Sequence, residues 1–386
     1  MRVIFNVDAI TAPLTGIGRY ALELARGLAR HREIEALKLY SAYRWVDDPE
    51  HALHANATIA AVRRNVPFKT FALEAYTQLR SALFRLHTRR LDGWLLHTPN
   101  YVLMPFDGPA LTTVHDLSWL NHPETHPIER VRFLDRHLPR SLEKAFAVLT
   151  DSQSIADEIE TKLSVPRARL RVVPLGVDAT YRPRPPDELR ATLRKHALDD
   201  RAYLLVVATQ EPRKNLARLA RAYSALPAAL RARHPLVVVG ARGWLQAELE
   251  RALGPLEARG EARRLGYVAE EELPLLYAGA YAFAFPSLYE GFGLPLLEAM
   301  ASGVPALTSD RSSMPEIARD ADGEIALTVD PLDEDALRDG LQRLLEDAGW
   351  RADAARRGPR HAQAYTWQRC VEETVAVYRE ASAHAR

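Results

Sequence analysis

Short apolar runs alternate with longer segments of helical periodicity along most of the chain. The run "RVIFNVDA" at 2–9 predicts a buried strand, and "RYALELARGLAR" at 19–30 predicts the helix that follows it. Further strand candidates in the first half lie at 36–40, 93–99, 110–116, 147–152 and 169–176. Because parallel strands need crossover connections, this alternation predicts a parallel sheet with helices on both faces.

A charged, proline-rich stretch, "GVDATYRPRPPDE" at 176–188, interrupts the alternation and is typical of a linker between domains. The alternation then resumes, with strand candidates at 203–209, 235–240, 263–268, 281–287, 304–310 and 325–330. Two further helical segments, around 350–363 and 366–381, end the chain. We therefore predict two open α/β domains in tandem.

Size and composition support this prediction and exclude several classes of protein. A chain of 386 residues is too long for one ordinary core. A formal net charge of +1 disfavours a general nucleic-acid binder, and the single Cys370 excludes an intramolecular disulfide and a cysteine-based metal site. With neither a signal-peptide pattern nor a run of about 18 apolar residues, we expect a cytoplasmic location.

The stretch "PSLYEGFGLPLLEAMASGVP" at 286–305 places Glu290 and Glu298 on either side of a glycine-containing helix start. Ligands of open parallel sheets bind where strands lead into helices, and this stretch follows a predicted strand. Two carboxylates there can accept hydrogen bonds from sugar hydroxyls. The alternative interpretation is one solvated loop acid and one acid on a helix surface.

The glycines of the same stretch add hydrogen-bond donors. They leave the backbone N–H groups of Phe292, Gly293 and Leu294 able to face a ligand at a helix N-terminus. A sugar, which is rich in hydroxyls and carries little net charge, fits such a site.

A basic pair follows the strand that opens the second half, in "ATQEPRKN" at 208–215. Arg213 and Lys214 directly precede a predicted helix, for which Asn215 is a candidate N-cap. A forked guanidinium and an ammonium at a helix start suit a diphosphate. The alternative is a solvated basic pair.

Two motifs in the first half also follow predicted strands. "TGIGRY" places Gly16 and Gly18 between the first strand and first helix, where glycine lets a phosphate approach the backbone. "TTVHDLSW" places His115 and Asp116 at a strand end that opens on a ligand site. The alternatives are a flexible turn and a surface histidine with satisfied hydrogen bonds.

Two other motifs are interpreted as helix caps. "DED" at 333–335 has the D-x-D pattern of a metal-diphosphate ligand, but acids are favoured at a helix start. "TDSQS" at 150–154 lacks the surroundings of a nucleophilic serine, so it predicts an N-cap.

Taken together, the sequence resembles the retaining glycosyltransferases of family 4, which have the GT-B fold of two Rossmann-like α/β domains facing across a cleft. The Glu290-to-Glu298 segment matches the E-x7-E signature of that family. "TGIGRY", "TVHDLSWL", "VVPLGVD", "EPRKN" and "LGYVAEEELPLLYAGA" resemble further family segments in the expected order. Within the family, the chain most resembles bacterial mannosyl- or rhamnosyltransferases of polysaccharide assembly, including lipopolysaccharide.

The resemblance implies that Arg213 and Lys214 bind the diphosphate of a nucleotide-sugar donor, helped by the backbone at Gly16. Many family members carry a glycine-arginine pair after the strand that opens the second domain. Here Ala208 and Thr209 stand at that place. We therefore expect the phosphates to depend more heavily on Arg213 and Lys214.

The resemblance also implies contacts with the rest of the donor. Glu298 would hold the ribose hydroxyls, and the backbone at Tyr267 and Val268 would contact the base. Glu290 and the amides of the glycine turn would hold the transferred sugar. His115 would lie beside that sugar.

For the domains, the resemblance implies an acceptor-side domain at 1–178 and a nucleotide-sugar-binding domain at 179–365, with a C-terminal helix within 366–386 that packs back on the first domain. The implied reaction moves a hexose, with mannose or rhamnose favoured, to a glycan or lipid-linked glycan acceptor. A GDP-sugar is the favoured donor. No metal, no other cofactor and no nucleic-acid partner is expected.

A basic segment is compatible with peripheral contact with an anionic membrane, although a helix that faces the core is the favoured interpretation. Residues 61–91 contain seven lysines and arginines and one acid, Glu74, with apolar residues at helical spacing. Such a helix can dock on anionic lipid, or it can pack on the core with a solvated basic side.

Three other functions are compatible with parts of the pattern. A nucleotide-sugar epimerase of similar fold would convert its substrate without an acceptor. A non-catalytic two-lobed sugar-binding protein would usually carry an export signal, which the sequence lacks. A nicotinamide dehydrogenase is disfavoured because the glycine fingerprint is incomplete.

Overall fold

A computed structural model describes residues 1–12, 14–53, 69–198, 202–243 and 247–384, with the backbone alone for 69–76. The chain divides into two compact units. Unit 1 comprises Met1–Gly176 and Trp367–Arg386, and unit 2 comprises Val177–Thr366. Each unit is therefore described separately.

The strands of unit 1 are β1 (Arg2–Asn6), β2 (Ala36–Ser41), β3 (Arg44–Val46), β4 (Leu95–Thr98), β5 (Ala110–Thr113), β6 (Ala147–Thr150) and β7 (Leu170–Val172). They form one sheet in the order β3-β2-β1-β4-β5-β6-β7. Every neighbouring pair is parallel except β2 and β3, which are antiparallel. The sequence analysis did not predict β3, a three-residue strand at the sheet edge.

The helices of unit 1 are α1 (Gly16–Arg30), α2 (Lys69–Thr88), α3 (Ser118–Asn121), α4 (Ile128–Lys144), α5 (Gln153–Leu163) and the C-terminal α15 (Trp367–His384). Residues 49–53 are also helical, and 3-10 turns lie at Pro123–Thr125 and Arg167–Arg169.

Central strands of unit 1 are buried on both faces, with a histidine and several threonines among their apolar residues. All four residues of β4, β5 and β6 are buried. Helix α15 packs on α1, where Gly27 faces the side chain of Val371 so closely that a Cβ would clash. The last helix of the chain therefore completes the core of unit 1.

The strands of unit 2 are β8 (Leu204–Val207), β9 (Leu236–Val239), β10 (Ala262–Gly266), β11 (Ala282–Phe285), β12 (Ala306–Ser309) and β15 (Ala326–Val329). They form a second parallel sheet in the order β10-β9-β8-β11-β12-β15. Between β12 and β15 a small antiparallel pair is formed by β13 (Arg319–Asp320) and β14 (Gly323–Glu324).

The helices of unit 2 are α6 (Pro186–Lys195), α7 (Leu216–Ser224), α8 (Ala228–Arg233), α9 (Ala247–Ala258), α10 (Leu273–Ala278), α11 (Leu294–Ala301), α12 (Met314–Ile317), α13 (Glu334–Glu346) and α14 (Ala348–Ala362). A 3-10 turn at Pro212–Lys214 connects β8 to α7.

Both sheets contain a switch point, where successive strands begin to add on the opposite side. In unit 1 it lies between β1 and β4, and in unit 2 between β8 and β11. Ligands of such sheets bind outside the carboxyl ends of the strands at this place. The predicted tandem α/β fold is confirmed, and the switch points locate the candidate sites.

Both predicted helix caps are present. Asp333 accepts hydrogen bonds from the amides of Asp335 and Ala336 at the start of α13, and Ser152 accepts one from the amide of Ile155 in α5. Among the helices in the described part of the chain, none combines the length and apolar character needed to cross a membrane.

Candidate active site

Loops at the switch point of unit 2 bring two cations and two carboxylates together. Lys214 Nζ lies 2.6 Å from Glu290 Oε1, and Arg213 Nη1 lies 3.3 Å from Glu290 Oε2. Arg213 Nη2 lies 2.7 Å from Glu211 Oε1. The 3-10 turn after β8 carries the cations, and the loop after the neighbouring β11 carries Glu290, so the sheet order explains their contact.

This charged cluster is largely shielded from solvent. The side chains of Lys214 and Glu290 are 14% and 11% exposed. Burial, and then the neighbouring Arg213, lowers the pKa of Lys214. Burial alone would raise the pKa of Glu290, but the charges of Lys214 and Arg213 outweigh it and lower that pKa. The charge of Glu290 is therefore stabilised by its two cationic partners, whereas burial and Arg213 disfavour the charge of Lys214.

Backbone hydrogen bonds also join the loops after β8 and β11. The amide of Leu288 donates to the Arg213 carbonyl oxygen over 2.9 Å, and Arg213 Nη1 donates to the Tyr289 carbonyl oxygen over 2.5 Å. The ammonium of Lys214 also lies 5.5 Å from the ring centre of Phe285. Arg213 therefore fixes the shape of the Glu290 loop as well as adding charge.

Two serines after β12, the next strand, support the same loop. The amide of Glu290 donates to Ser312 Oγ over 2.9 Å. The hydroxyl of Ser313 donates to the carbonyl oxygens of Glu290 and Phe292 over 3.0 and 2.9 Å. Sequence reasoning missed both serines, although their place directly after a predicted strand was an available signal.

The glycine turn has the geometry that the sequence predicted. Gly293 has φ = 110°, a left-handed conformation, and a Cβ there would clash with Met314. Helix α11 begins at the next residue, Leu294. Among the described residues, no acceptor pairs with the backbone N–H groups of Phe292, Gly293 or Leu294. These three amides remain able to bind a ligand.

Glu298 does not join the charged cluster through any described contact. It lies in α11 and is half-buried. Burial, and next the negative charge of Glu298, raises the pKa of Tyr277 well above 10. Its implied contact with a ribose stays a prediction.

Asn215 differs from its predicted role as an N-cap. It directly precedes α7, but with φ = 60° its side chain makes no capping hydrogen bond. Its Nδ2 instead donates to the carbonyl oxygens of Pro286 and Pro331 over 3.1 and 2.7 Å. Asn215 ties the end of the β8 loop to the loops that follow β11 and β15.

Tyr267 and Val268 directly follow β10, on the β9 side of the switch point. The Tyr267 side chain is 62% exposed, whereas Val268 is buried. This backbone therefore lies at a strand end, and its contact with a base stays a prediction.

At the switch point of unit 1, Gly16 starts α1 instead of lying in the preceding loop. Thr15 caps the helix by accepting a 3.2 Å hydrogen bond from the Gly18 amide, which places both glycines in the first turn. Gly18 lies against the Ala9 carbonyl oxygen, while a Cβ at Gly16 would meet no atom of the described residues within 4 Å. Gly16 is therefore exposed at the start of α1, and its implied contact with a phosphate stays a prediction.

His115 is buried, and both ring nitrogens are hydrogen-bonded. Nε2 lies 2.9 Å from the Pro99 carbonyl oxygen, which can only accept, so Nε2 carries a hydrogen. Nδ1 lies 2.8 Å from Asp151 Oδ2. Burial opposes the imidazolium, but Asp151 outweighs burial and raises the pKa of His115. Its ring ties the ends of β4, β5 and β6 together, a role that the sequence did not reveal.

A second buried histidine extends this network to the C-terminal helix. His97 Nδ1 lies 2.6 Å from the Tyr378 hydroxyl, and Nε2 lies 2.8 Å from Thr113 Oγ1. Thr113 also bonds the hydroxyl of Tyr20, whose ring contacts His115 edge-on at 4.9 Å. Burial lowers the pKa of His97 to about 3, so this ring is neutral.

The structure thus brings Arg213, Lys214, Glu290 and the α11 amides together in unit 2. It places Glu298 beside Tyr277. Tyr267 lies at another strand end of that unit, directly after β10. Gly16 and His115 belong to unit 1.

The chain is similar to known proteins over most of its length. Residues 14–181 match the family described as "Glycosyltransferase Family 4", and residues 190–361 match "Glycosyl transferases group 1". The chain is 38% identical over 387 residues to O-antigen chain mannosyltransferase B of Escherichia coli, covering 98% of this chain and 100% of that protein.

Two further similarities are less extensive. The serotype-specific mannosyltransferase WbdA of Escherichia coli is 30% identical over 284 residues, which cover 70% of this chain and 34% of that protein. The structure of sucrose-phosphate synthase from Thermosynechococcus elongatus superposes with a TM-score of 0.76 at 20% identity and covers 100% of both chains. That structural likeness supports the fold alone.

The chain belongs to glycosyltransferase family 4. The predicted enzyme class is confirmed, as is the predicted closeness to bacterial mannosyltransferases of polysaccharide assembly.

Proposed function

We propose that this glycosyltransferase transfers mannose, with retention of anomeric configuration, from a GDP-sugar to a glycan or lipid-linked glycan acceptor of a bacterial surface polysaccharide. The observation that carries the proposal is the Arg213–Lys214–Glu290 cluster at the switch point of unit 2. The extensive identity to an O-antigen mannosyltransferase favours mannose as the sugar.

Departure of a nucleoside diphosphate places negative charge on the phosphate and positive charge on the sugar ring. In the proposed reaction, Lys214 and Arg213 stabilise the phosphate, and the amides of Phe292 to Leu294 hold the sugar. Preorganised donors are effective because they are already oriented when charge develops. No metal ion is required in this scheme.

We propose that retention proceeds on one face of the sugar, with the departing phosphate accepting the proton of the acceptor hydroxyl. No protein nucleophile is then needed. The pairing of Glu290 with Lys214 and Arg213 supports a structural and electrostatic role for this carboxylate. Isolation of a glycosyl adduct on Glu290 would overturn this scheme.

A thermal-shift screen against GDP-, UDP-, ADP- and dTDP-sugars tests the donor. We expect GDP-mannose to raise the melting temperature most, because bound ligand stabilises the folded state. GDP release should then depend on an added mannose-containing glycan acceptor. Conversion of the donor to another nucleotide-sugar without acceptor would instead support an epimerase.

We also propose that unit 1 contacts an anionic membrane. The predicted segment 61–91 lies partly outside the described residues, but the described part of α2 and the residues that follow it expose Leu79, Leu86, Arg85, Arg89 and Arg90. Apolar side chains among arginines are the chemistry that anionic lipid attracts.

A second basic stripe lies on α4, where Arg132, Arg136, Arg140 and Lys144 are exposed at spacings of four. The segment after β4 contacts both helices, since Arg80 Nη2 of α2 bonds Met104 Sδ and Ser141 Oγ of α4 accepts from the Leu103 amide. Both helices therefore pack against the same segment of unit 1.

Flotation with vesicles of phosphatidylglycerol and phosphatidylcholine tests this surface. We expect binding to anionic vesicles that weakens in Leu79→Gln/Leu86→Gln. Leu332→Gln, at an exposed leucine of unit 2, is the control and should bind like wild type. Equal flotation of all variants, or none by wild type, would contradict the proposal.

A further inference from the structure

Glu211 is an acid placed among the groups proposed to bind a diphosphate. It directly precedes the 3-10 turn at Pro212–Lys214, and its carboxylate lies 2.7 Å from Arg213 Nη2. The side chains of Glu211 and Arg213 are each 11% exposed. Among the described residues, Arg213 is the only ion-pair partner of Glu211.

The cluster formed by Glu211, Arg213, Lys214 and Glu290 contains two positive and two negative side chains. Its formal charge is therefore zero, although a diphosphate site needs positive charge. Charges separated by a few ångströms and shielded from solvent interact strongly, so a negative side chain here opposes an incoming phosphate.

The two carboxylates are held differently. Glu290 is paired with both Lys214 and Arg213, and its loop is anchored by Ser312 and Ser313. Among the described ion pairs, Glu211 contacts only Arg213, at Nη2. Breaking the Glu211 contact therefore removes this carboxylate from Arg213 Nη2 and leaves the contacts of Glu290 with Lys214 and Arg213 Nη1 in place.

We propose that Glu211 is a counter-charge that competes with the donor diphosphate for Arg213 and thereby limits the affinity for donor and nucleotide product. This inference rests on the proposed function. Phosphate oxygens replace the Glu211 carboxylate at Arg213 Nη2 on binding, and the carboxylate regains that nitrogen on release. The ion pair thus aids departure of the product.

Calorimetric titration of the full chain with GDP and with inorganic pyrophosphate tests the proposal. Glu211→Gln removes the charge but keeps an oxygen that can accept from Arg213. We expect Kd to fall roughly tenfold for both ligands, equivalent to about 1.4 kcal/mol. Glu211→Asp keeps the charge and should retain nearly the wild-type Kd.

Glu261→Gln is the matched control. Glu261 pairs with Arg231, and the two side chains are 13% and 14% exposed. Glu261 directly precedes β10, so it lies at the amino-terminal ends of the strands, whereas the charged cluster lies at their carboxyl ends. The Glu261→Gln substitution also removes one negative charge, and it should leave Kd for GDP and pyrophosphate unchanged. Weaker or unchanged binding by Glu211→Gln would overturn the inference, because a merely structural role cannot tighten binding.

The outcomes also separate this inference from the proposed function. If wild type binds neither GDP nor pyrophosphate, the proposed donor site fails. If wild type binds and Glu211→Gln binds no tighter, only the role of Glu211 fails. Should Glu211→Gln not fold, as judged by circular dichroism, tightening by Glu211→Ser and none by Glu211→Asp would support the proposal, whereas equal binding by both would overturn it.

Discussion

The switch points of the two units have the same topology but different chemistry. In unit 1, His97 and His115 lie in a buried network of hydrogen bonds that uses all four of their ring nitrogens. In unit 2, Lys214 and Glu290 face each other as charges. The first network holds its shape without a ligand, whereas the second holds charges that a ligand can exchange. We expect the network of unit 1 to provide rigidity and the cluster of unit 2 to provide binding energy for a ligand.

The first prediction concerns the contribution of the charged cluster in unit 2 to stability. Lys214→Met leaves the buried Glu290 with Arg213 alone, at 3.3 Å. We expect a loss of about 3 kcal/mol in the free energy of unfolding, the lower end of the cost of breaking a buried pair. Urea denaturation measures it.

Lys214→Met/Glu290→Gln should be more stable than Lys214→Met, because the uncompensated charge is removed as well. If the double variant is no more stable than Lys214→Met, the two charges do not compensate each other. Unit 2 would then lack the paired charges that distinguish it from unit 1.

Activity provides the second test. Arg213→Ala and Lys214→Ala should each lower kcat by roughly 10² to 10³, or about 2.7–4 kcal/mol in transition-state stabilisation. Initial rates of GDP release with acceptor present measure this, with circular dichroism to establish folding. Near-wild-type turnover by either folded variant would remove that residue from the mechanism.

The free energy of unfolding should depend on pH through the hydrogen-bonded histidines of unit 1. His97 has a native pKa of about 3, below the ordinary 6.5, so the unfolded chain takes up a proton first as pH falls. Stability is therefore lost from about pH 6.5 downward, by about 2 kcal/mol at pH 5. The raised pKa of His115 acts in the opposite sense, stabilising at low pH and losing that contribution as pH rises.

Urea denaturation of wild type and His97→Gln at pH 7 and pH 5 isolates this contribution. The variant should lose less stability than wild type between the two values. An identical pH dependence would show that His97 is not a neutral, buried group in the native state.

The smallest effects concern α15. Tyr378→Phe removes the hydroxyl bonded to His97 and should cost about 1.5 kcal/mol. Arg379, on the same helix, pairs with Glu33 at the surface, and Arg379→Ala should leave the denaturation midpoint unchanged. An equal loss of stability in both variants would mean that general packing of α15, rather than the buried hydrogen-bond network, stabilises unit 1 here.

Local patterns were enough to predict the two α/β domains, because continuous apolar strands and amphipathic helices are encoded within short windows. The short edge strand β3 was missed because three residues carry too little periodicity. The predicted loop at Gly16 was wrong in detail, because the Thr15 cap extends α1 back through both glycines.

Site residues on strand ends were also predictable from sequence, since Lys214 and Glu290 follow strands that pair in the sheet. The side chains that pair with the site residues of both units were not predictable. The contacts of Asp151 with His115 and of Glu211 with Arg213 depend on side-chain directions that no spacing reveals. Asn215 has a good capping residue's chemistry, yet tertiary contacts draw its amide to Pro286 and Pro331.

The return of the chain to unit 1 has a consequence for biosynthesis. Tyr378, the partner of His97, lies 281 residues later in the sequence. Unit 2 ends at Thr366, but the core of unit 1 lacks α15 until the ribosome has made Trp367–His384. The strands of unit 1 are therefore translated before unit 2, yet its core is completed only afterwards, and premature termination within α15 would leave that core without the helix.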